Sequence, residues 1–394
     1  MSRRKICVIT GSRADYGLLY HVINEIEIDT SMDLQIVVTG MHLSKEFGNT
    51  YKRIVKDGFI ISRKVDISLL SDTELAISKS IGIGINGFAE VFYDLEPDLI
   101  VVLGDRYEIF SAVTSAMIAK IHVAHLHGGE RTEGVFDEYI RHAITKMSHL
   151  HFAATDEYRN RIIQLGEQPN RVFNVGGLGV DNLKKSNLLV KKDFEKSIGF
   201  KLGERNIVVT FHPVTLEDAT AKDQFQELLN CISELVNIKI IFTKTNSDTG
   251  GRVINTMIDE YVAKHENSIS FVTMGQLNYL SSLKFVDAVV GNSSSGLLEA
   301  PSFNIGTINI GDRQKGRIKA SSVLSCLPNK KSINGAFKEL YSNRFQNALK
   351  LTINPYGNGG ASEKIINIIK DTSLNNIIKK SFYDLKDLHI KDAL

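Results

Sequence analysis

The sequence predicts an α/β protein made of two Rossmann-like domains, with its ligand held in the cleft between them. Short apolar runs alternate with helical patterns through both halves, which implies parallel sheets covered by helices on both faces. The first run, residues 5–10, leads through a turn at Gly11 into a helical pattern from Leu18. Ligands are expected beyond the carboxyl end of such a strand. A matching loop, residues 291–299 (GNSSSGLLE), follows the apolar run 285–290 in the other half. A chain of 394 residues is too long for one ordinary domain and suits two of roughly 180 residues each.

In chain order, the first-half strand candidates are residues 5–10, 34–39, 99–103, 121–126, 150–153 and 172–175. The second half offers 206–210, 238–243, 268–273, 285–290 and 306–310. Between them the polar, lysine-rich stretch 181–204 carries no strand pattern and marks the seam. The expected division is therefore a first domain over 1–180 and a second over 181–365. A helical, charged segment over 366–394 follows as a C-terminal helix and tail, and a return onto the first domain is one placement open to it. The glycines of residues 82–87 (GIGING) match GxGxxG but follow a helix-like stretch rather than a strand, so no dinucleotide cofactor is signalled.

Composition removes several classes of function. The 47 basic and 45 acidic residues nearly balance, which gives no reason to expect a nucleic-acid groove. Cys7, Cys231 and Cys326 form no CxxC pair, and scattered thiols suit a reducing compartment. No apolar stretch approaches ~20 residues and no signal-peptide pattern is present, so a cytoplasmic protein is expected, neither secreted nor in a membrane.

The polar residues cluster where the strands end. In residues 291–299 the serines Ser293 and Ser294 and the opening of a helix offer donors to an anion. The same residues also fit a plain serine N-cap. Arg13, in the loop after the first strand, is placed to grip a phosphate. Residues 104–108 follow the strand 99–103 and hold Asp105 and Arg106, which suit either chemistry at a sheet edge or capping of the next helix. After the strand 121–126 come His127, Glu130, Asp137, Glu138, Arg141 and His142. Strand alternation would set His125 and His127 on one side, but no third spaced ligand accompanies them, so no metal is assigned. Carboxylates beside a histidine suit proton removal and return. In the second half, His212 lies before a proline and Arg313 lies in the cationic loop 311–317.

Taken together the landmarks resemble the hydrolysing UDP-N-acetylglucosamine 2-epimerase family, specifically its bacterial branch in sialic- and legionaminic-acid biosynthesis. They are GSRADYG at 11–17, VTGMH at 38–42, LGDRYE at 103–108, HLHGGE at 125–130, DEYIRH at 137–142, FHPVT at 211–215, NSDTG at 246–250, GNSSSG at 291–296 and GDRQKGR at 311–317. The resemblance implies a GT-B-like arrangement with the active site between the domains, UDP on the second and the sugar facing the first. It implies catalytic roles for Asp105, His127, Glu130, Asp137 and His212, and UDP or substrate contacts from Arg13, Arg106, Asn246, Tyr279, Ser293, Ser294, Glu299 and Arg313. His127 stands where animal and some bacterial members carry glutamate and bacterial sialic- and legionaminic-acid members carry histidine, so either it or Glu130 takes that task, and a substrate with a second acetamido group is an alternative. The implied reaction yields N-acetylmannosamine and UDP without metal or redox cofactor, in a homodimer or homotetramer. A glycosyltransferase would share the UDP loops but need an acceptor.

Overall fold

The computed structural model describes residues 3–68, 73–132, 135–213, 221–245 and 251–385. The first half forms a parallel sheet of β1 (Arg4–Thr10), β2 (Met32–Thr39), β3 (Arg63–Val65), β4 (Leu99–Leu103), β5 (His122–Leu126), β6 (Leu150–Ala153) and β7 (Val172–Asn174). Its strand order is β3-β2-β1-β4-β5-β6-β7. The second sheet contains β8 (Arg205–Thr210), β9 (Ile238–Thr243), β10 (Ser268–Phe271), β11 (Ala288–Gly291), β12 (Gly306–Ile310) and β13 (Val323–Cys326), in the order β10-β9-β8-β11-β12-β13. Every residue of β4 is buried, as expected for a strand covered by helices on both faces.

Both sheets change direction once. In the first, β1 lies between β2 and β4; in the second, β8 lies between β9 and β11. A parallel sheet opens a crevice at such a switch point, beyond the carboxyl ends of its strands. The loops after β1, β4, β8 and β11 therefore converge on the cleft.

Two strands escaped the sequence reading. β3 is three residues long with only Val65 buried, and β13 is a partly exposed edge strand, so neither makes an apolar run. The run 285–290 also starts too early, because β11 begins at Ala288 and ends at Gly291. Gly291 has φ of +127°, and a Cβ there would strike the Thr210 carbonyl, so the strand end admits only glycine. The glycines of 82–87 lie inside the helix Glu74–Leu95, where Gly84 and Gly87 bring it against Ser111 and Val65.

The chain then returns. Helix Ala361–Asp371 adds Ile365, Ile366 and Ile369 to the core beneath β1, beside Leu19, Val22 and Ile23. Each such side chain contributes about 1.5–3 kcal/mol on burial. The Asp181 carboxylate anchors the return by accepting from the Gly360 amide at 2.5 Å and the Ser362 amide at 3.0 Å. Beyond the helix, Lys380 pairs with buried Glu167 at 2.6 Å.

Candidate active site

The loop after β1 begins with Ser12, whose hydroxyl accepts from the Asp15 amide at 3.3 Å and so caps the helix Arg13–Ile28. Gly11 is required because a Cβ would strike the Glu108 carboxylate. Asp15 opens toward that same carboxylate and Arg106; burial, opposed by Arg106 and reinforced by Glu108, pushes its carboxyl up to about 6. Arg13 spans the cleft, its guanidinium donating to the Val272 carbonyl just beyond β10. Burial lowers Arg13 to about 10, which leaves it charged at neutral pH.

Beyond β4, Arg106 holds Glu108 at 2.7 Å, and Asp105 pairs with Arg141. Arg141 is 1% exposed and sits at the centre of the acidic cluster. Besides Asp105 it reaches Glu138 at 2.7 Å, the Thr132 hydroxyl at 2.7 Å and the Glu130 carbonyl at 3.0 Å. A guanidinium fork suits this task because it carries five donors in fixed geometry. Asp137 opens the helix Asp137–Met147, one turn before Arg141 on the same helix. Burial works against the charge on Glu138, but His142, the Thr132 amide and Arg141 overcome it and hold the carboxyl at about 2.

β5 ends at Leu126, and His127 adopts φ of +61°, so strand alternation does not extend to it. The expectation that His125 and His127 share a side fails for that reason. The His125 ring lies between the Gly104 carbonyl at 2.7 Å and the Thr145 hydroxyl at 3.2 Å, and burial lowers it to about 3. His127 turns elsewhere. Its Nε2 accepts from the Leu178 amide at 3.3 Å, which leaves the ring proton on Nδ1, 3.1 Å from Glu130. Glu130 in turn pairs with Arg317 of the second domain at 2.6 Å. Burial opposes the charge of Glu130, yet Arg317, His127 and Arg141 hold it at about 2.

Across the cleft, Asn292 organises the opposite wall. Its side chain accepts from the His212 amide at 2.6 Å and donates to the His212 carbonyl at 2.7 Å. Its own carbonyl accepts from Arg313 at 3.3 Å and Gln314 at 2.8 Å, and Gln314 holds Arg317 at 2.7 Å. The helix after β11, Ser295–Leu298, is only four residues long, which corrects the expectation of a full helix and its dipole. The capping contact comes from the Ser293 hydroxyl, which meets the Ser295 amide at 3.4 Å; the Ser294 side chain makes no cap bond. Tyr279 donates to the Ser295 hydroxyl at 2.6 Å. Burial, opposed by the Ser295 hydrogen bond and by His127, raises Glu299 to about 7.

Asn246, expected near the nucleotide, lies outside the described residues, as does the rest of 246–250. Of the predicted site residues, Asp105 and Arg106 follow β4, His127 and Glu130 follow β5 with Asp137 at the start of the next helix, and His212, Ser293, Ser294, Glu299 and Arg313 lie beyond β8, β11 and β12, with Tyr279 on the helix Gly275–Ser282. Arg13 crosses between the two domains. The sequence places Glu138 and Arg141 in the polar cluster, Arg317 in the cationic loop and Asn292 in the serine loop, but gives none of them a specific role. The Glu138–Arg141–His142 spacing, three and four apart on one helix, was the available signal.

The arrangement joins carboxylates held near 2 with carboxyls raised to about 6 and about 7. Such separation lets one group accept a proton while another donates one. Among the described residues, no three His, Cys, Asp or Glu side chains are grouped to hold a metal ion. No described helix is long and apolar enough to cross a membrane.

A family model described as UDP-N-acetylglucosamine 2-epimerase matches residues 24–370. The chain is 42% identical over 98% of its length to the whole of a Campylobacter jejuni GDP/UDP-N,N'-diacetylbacillosamine 2-epimerase (hydrolyzing). It is 39% identical to the Escherichia coli polysialic acid biosynthesis protein P7, covering 98% of each. A Legionella pneumophila UDP-N,N'-diacetylbacillosamine 2-epimerase (hydrolyzing) is 36% identical, covering 95% of this chain and 98% of that one. The fold matches that of a Neisseria meningitidis UDP-GlcNAc 2-epimerase solved with UDP-GlcNAc, with a TM-score of 0.79 at 18% identity, covering 93% of this chain and 100% of that one.

Proposed function

The chain belongs to the UDP-N-acetylglucosamine 2-epimerase family, and from that premise we propose that it hydrolyses UDP-N-acetylglucosamine with inversion at C2, giving N-acetylmannosamine and UDP for sialic-acid biosynthesis. The Campylobacter and Legionella relatives are named as hydrolysing 2-epimerases, which supports this reaction type. The observation that carries the reading is the ion-paired acidic cluster of the first domain, with Asp105 on Arg141, standing across the cleft from Arg313 and the serine loop.

In this reading the first domain, 1–180, holds the sugar and the second, 181–365, holds UDP. A carboxylate, Asp105 or Asp137, takes the C2 proton as UDP leaves C1, and a 2-acetamidoglucal forms. Water then adds at C1 and a proton returns to the other face of C2, with His127, Glu130 and His212 completing the acid–base set. The C2 proton is weakly acidic, so departure of UDP must be assisted. Arg13, Arg106, Arg313, Ser293 and Ser294 would stabilise the diphosphate, while Glu299, Tyr279 and Asn246 hold the nucleoside. The steps are an elimination and a hydration with no net redox change, so no cofactor is assigned.

A second reading keeps the chemistry and changes the sugar to UDP-2,4-diacetamido-2,4,6-trideoxyglucose; the names of the Campylobacter and Legionella relatives favour it. Offering the enzyme each sugar nucleotide separately and following UDP release decides between them. A preference of tens-fold in kcat/KM for the diacetamido sugar would overturn the first reading. We place the enzyme in the cytoplasm, consistent with its free thiols. A homodimer or homotetramer is supported by Met117, Ile118 and Tyr139, which are 43%, 73% and 72% exposed on neighbouring helices Tyr107–Ile118 and Asp137–Met147.

A further inference from the structure

Two tyrosines far apart in sequence, Tyr158 and Tyr356, are both fully buried with their hydroxyls 2.9 Å apart. Neither belongs to the polar loops of the cleft. Tyr158 lies on the helix Asp156–Gln164 of the first domain, and Tyr356 lies on the segment that returns from the second. Between them sits one residue of the second domain, Ile318, immediately after Arg317. The Ile318 amide donates to the Tyr158 oxygen at 3.1 Å, and the Tyr356 hydroxyl donates to the Ile318 carbonyl at 3.1 Å. With the Tyr356 proton committed, the proton between the hydroxyls must come from Tyr158. The result is a closed ring, Ile318 N–H to Tyr158, Tyr158 to Tyr356, Tyr356 to Ile318 C=O, in which each hydroxyl donates once and accepts once. Burial pushes both phenols up, so both keep their protons.

The same two residues support the other cleft loops through their backbones. The Tyr158 carbonyl lies where a Cβ of Gly129 would fall, so it backs the turn between His127 and Glu130. The Tyr356 carbonyl accepts from the Gly177 amide at 2.9 Å, next to Leu178, whose amide holds His127. Three supports thus converge: Leu178 on His127, Gly129 beside Glu130, and Ile318 beside Arg317.

We propose that Tyr158 and Tyr356 are positioning residues, whose hydrogen-bonded ring around Ile318 sets Arg317 of the second domain against the Glu130–His127 pair of the first. Neither hydroxyl touches substrate. Their effect is on the alignment of two loops from different domains, where a misplacement of about 1 Å can cost on the order of 100-fold in rate. The role rests on the epimerase reading above, and its test separates the two.

Tyr158→Phe, Tyr356→Phe and the double variant are compared with wild type on whichever UDP-sugar the wild type turns over. Each single change opens the same ring. The expected result is a fall in kcat of at least 10-fold in each single variant, a double variant no worse than the poorer single, and UDP affinity within about threefold. Release of Arg317 from Glu130 also moves the acid limb of the kcat profile to higher pH, a change that loss of packing alone would not cause. Folded Phe variants with kcat within twofold of wild type and an unshifted pH profile overturn the proposal. Should the variants not fold, amide hydrogen exchange at Ile318 in the wild type decides: protection close to that of the core strands supports the ring, and exchange at the rate of an open loop overturns it. A wild type that turns over neither UDP-sugar overturns the epimerase reading instead, and Ile318 exchange then still tests the ring.

Discussion

Asp105 meets a buried guanidinium on one side and keeps 20% of its side chain open on the other, which suits a carboxylate that must reach a substrate proton. Asp105→Asn preserves the shape and removes the capacity to accept a proton. We expect turnover to fall at least 100-fold with UDP affinity within about twofold; a variant retaining more than about a tenth of kcat, a loss under ~1.4 kcal/mol, contradicts the assignment. Glu130 supports a prediction about pH. Its folded carboxyl, held at about 2, lies below the ordinary value near 4.3. A depressed carboxylate adds stability at pH above its unfolded pKa and loses it as pH falls through the folded value. The melting temperature should therefore drop between roughly pH 4.5 and pH 2, and Glu130→Gln should flatten part of that slope in a pH series of thermal melts. Glu138, held down in the same way, keeps the remainder. The place of Asp105 at the sheet's edge was legible because it lies two residues beyond a buried strand. The central place of Arg141 was not: the sequence sets it in the polar cluster, but only the loops folded over it show that it is 1% exposed with four oxygen partners.

At the level of elements, the central strands were legible because their residues are apolar throughout, and Ile238–Thr243 and Gly306–Ile310 came out at their true bounds. The edge strands were not, since β3 and β13 lack a buried run and depend on pairing with β2 and β12. The serine loop read correctly as a strand-to-helix turn, but the length of its helix did not follow from the residues. With only four helical residues, the anion binding proposed for this loop rests on side-chain donors more than on a macrodipole. Ser294→Ala and Arg313→Ala should each weaken UDP by on the order of 1–3 kcal/mol; calorimetry finding unchanged affinity in both would remove the diphosphate from this loop. Gly291, at φ of +127° against the Thr210 carbonyl, tests the strand end that aims the loop. Gly291→Ala should destabilise the protein by on the order of 1–3 kcal/mol through backbone strain, read as a lowered melting temperature. An unchanged melt would show that β11 does not end as described.

Across the whole molecule, two switch-point crevices are brought mouth to mouth by a small set of contacts. Arg317 reaches Glu130 at 2.6 Å, Gln276 donates to the Gly17 carbonyl at 3.0 Å, and Asn182 reaches the same carbonyl at 2.7 Å. Two Rossmann-like halves were readable from alternating strands and helices. The pairing of particular residues across the cleft was not, because it depends on how the halves meet. In the proposed reaction that meeting sets cations and hydroxyls for a leaving diphosphate on one wall and the ion-paired carboxylates on the other. In the proposed reaction this chain alone eliminates UDP and rehydrates the sugar with a new proton at C2. The most direct test is incubation with UDP-N-acetylglucosamine in deuterated water, with no acceptor and no second enzyme, followed by mass and NMR analysis of the products. The expected products are UDP and free N-acetylmannosamine carrying deuterium at C2, because the proton returns from a solvent-equilibrated acid. Release of unlabelled sugar, or no release until an acceptor is added, would contradict the proposed reaction.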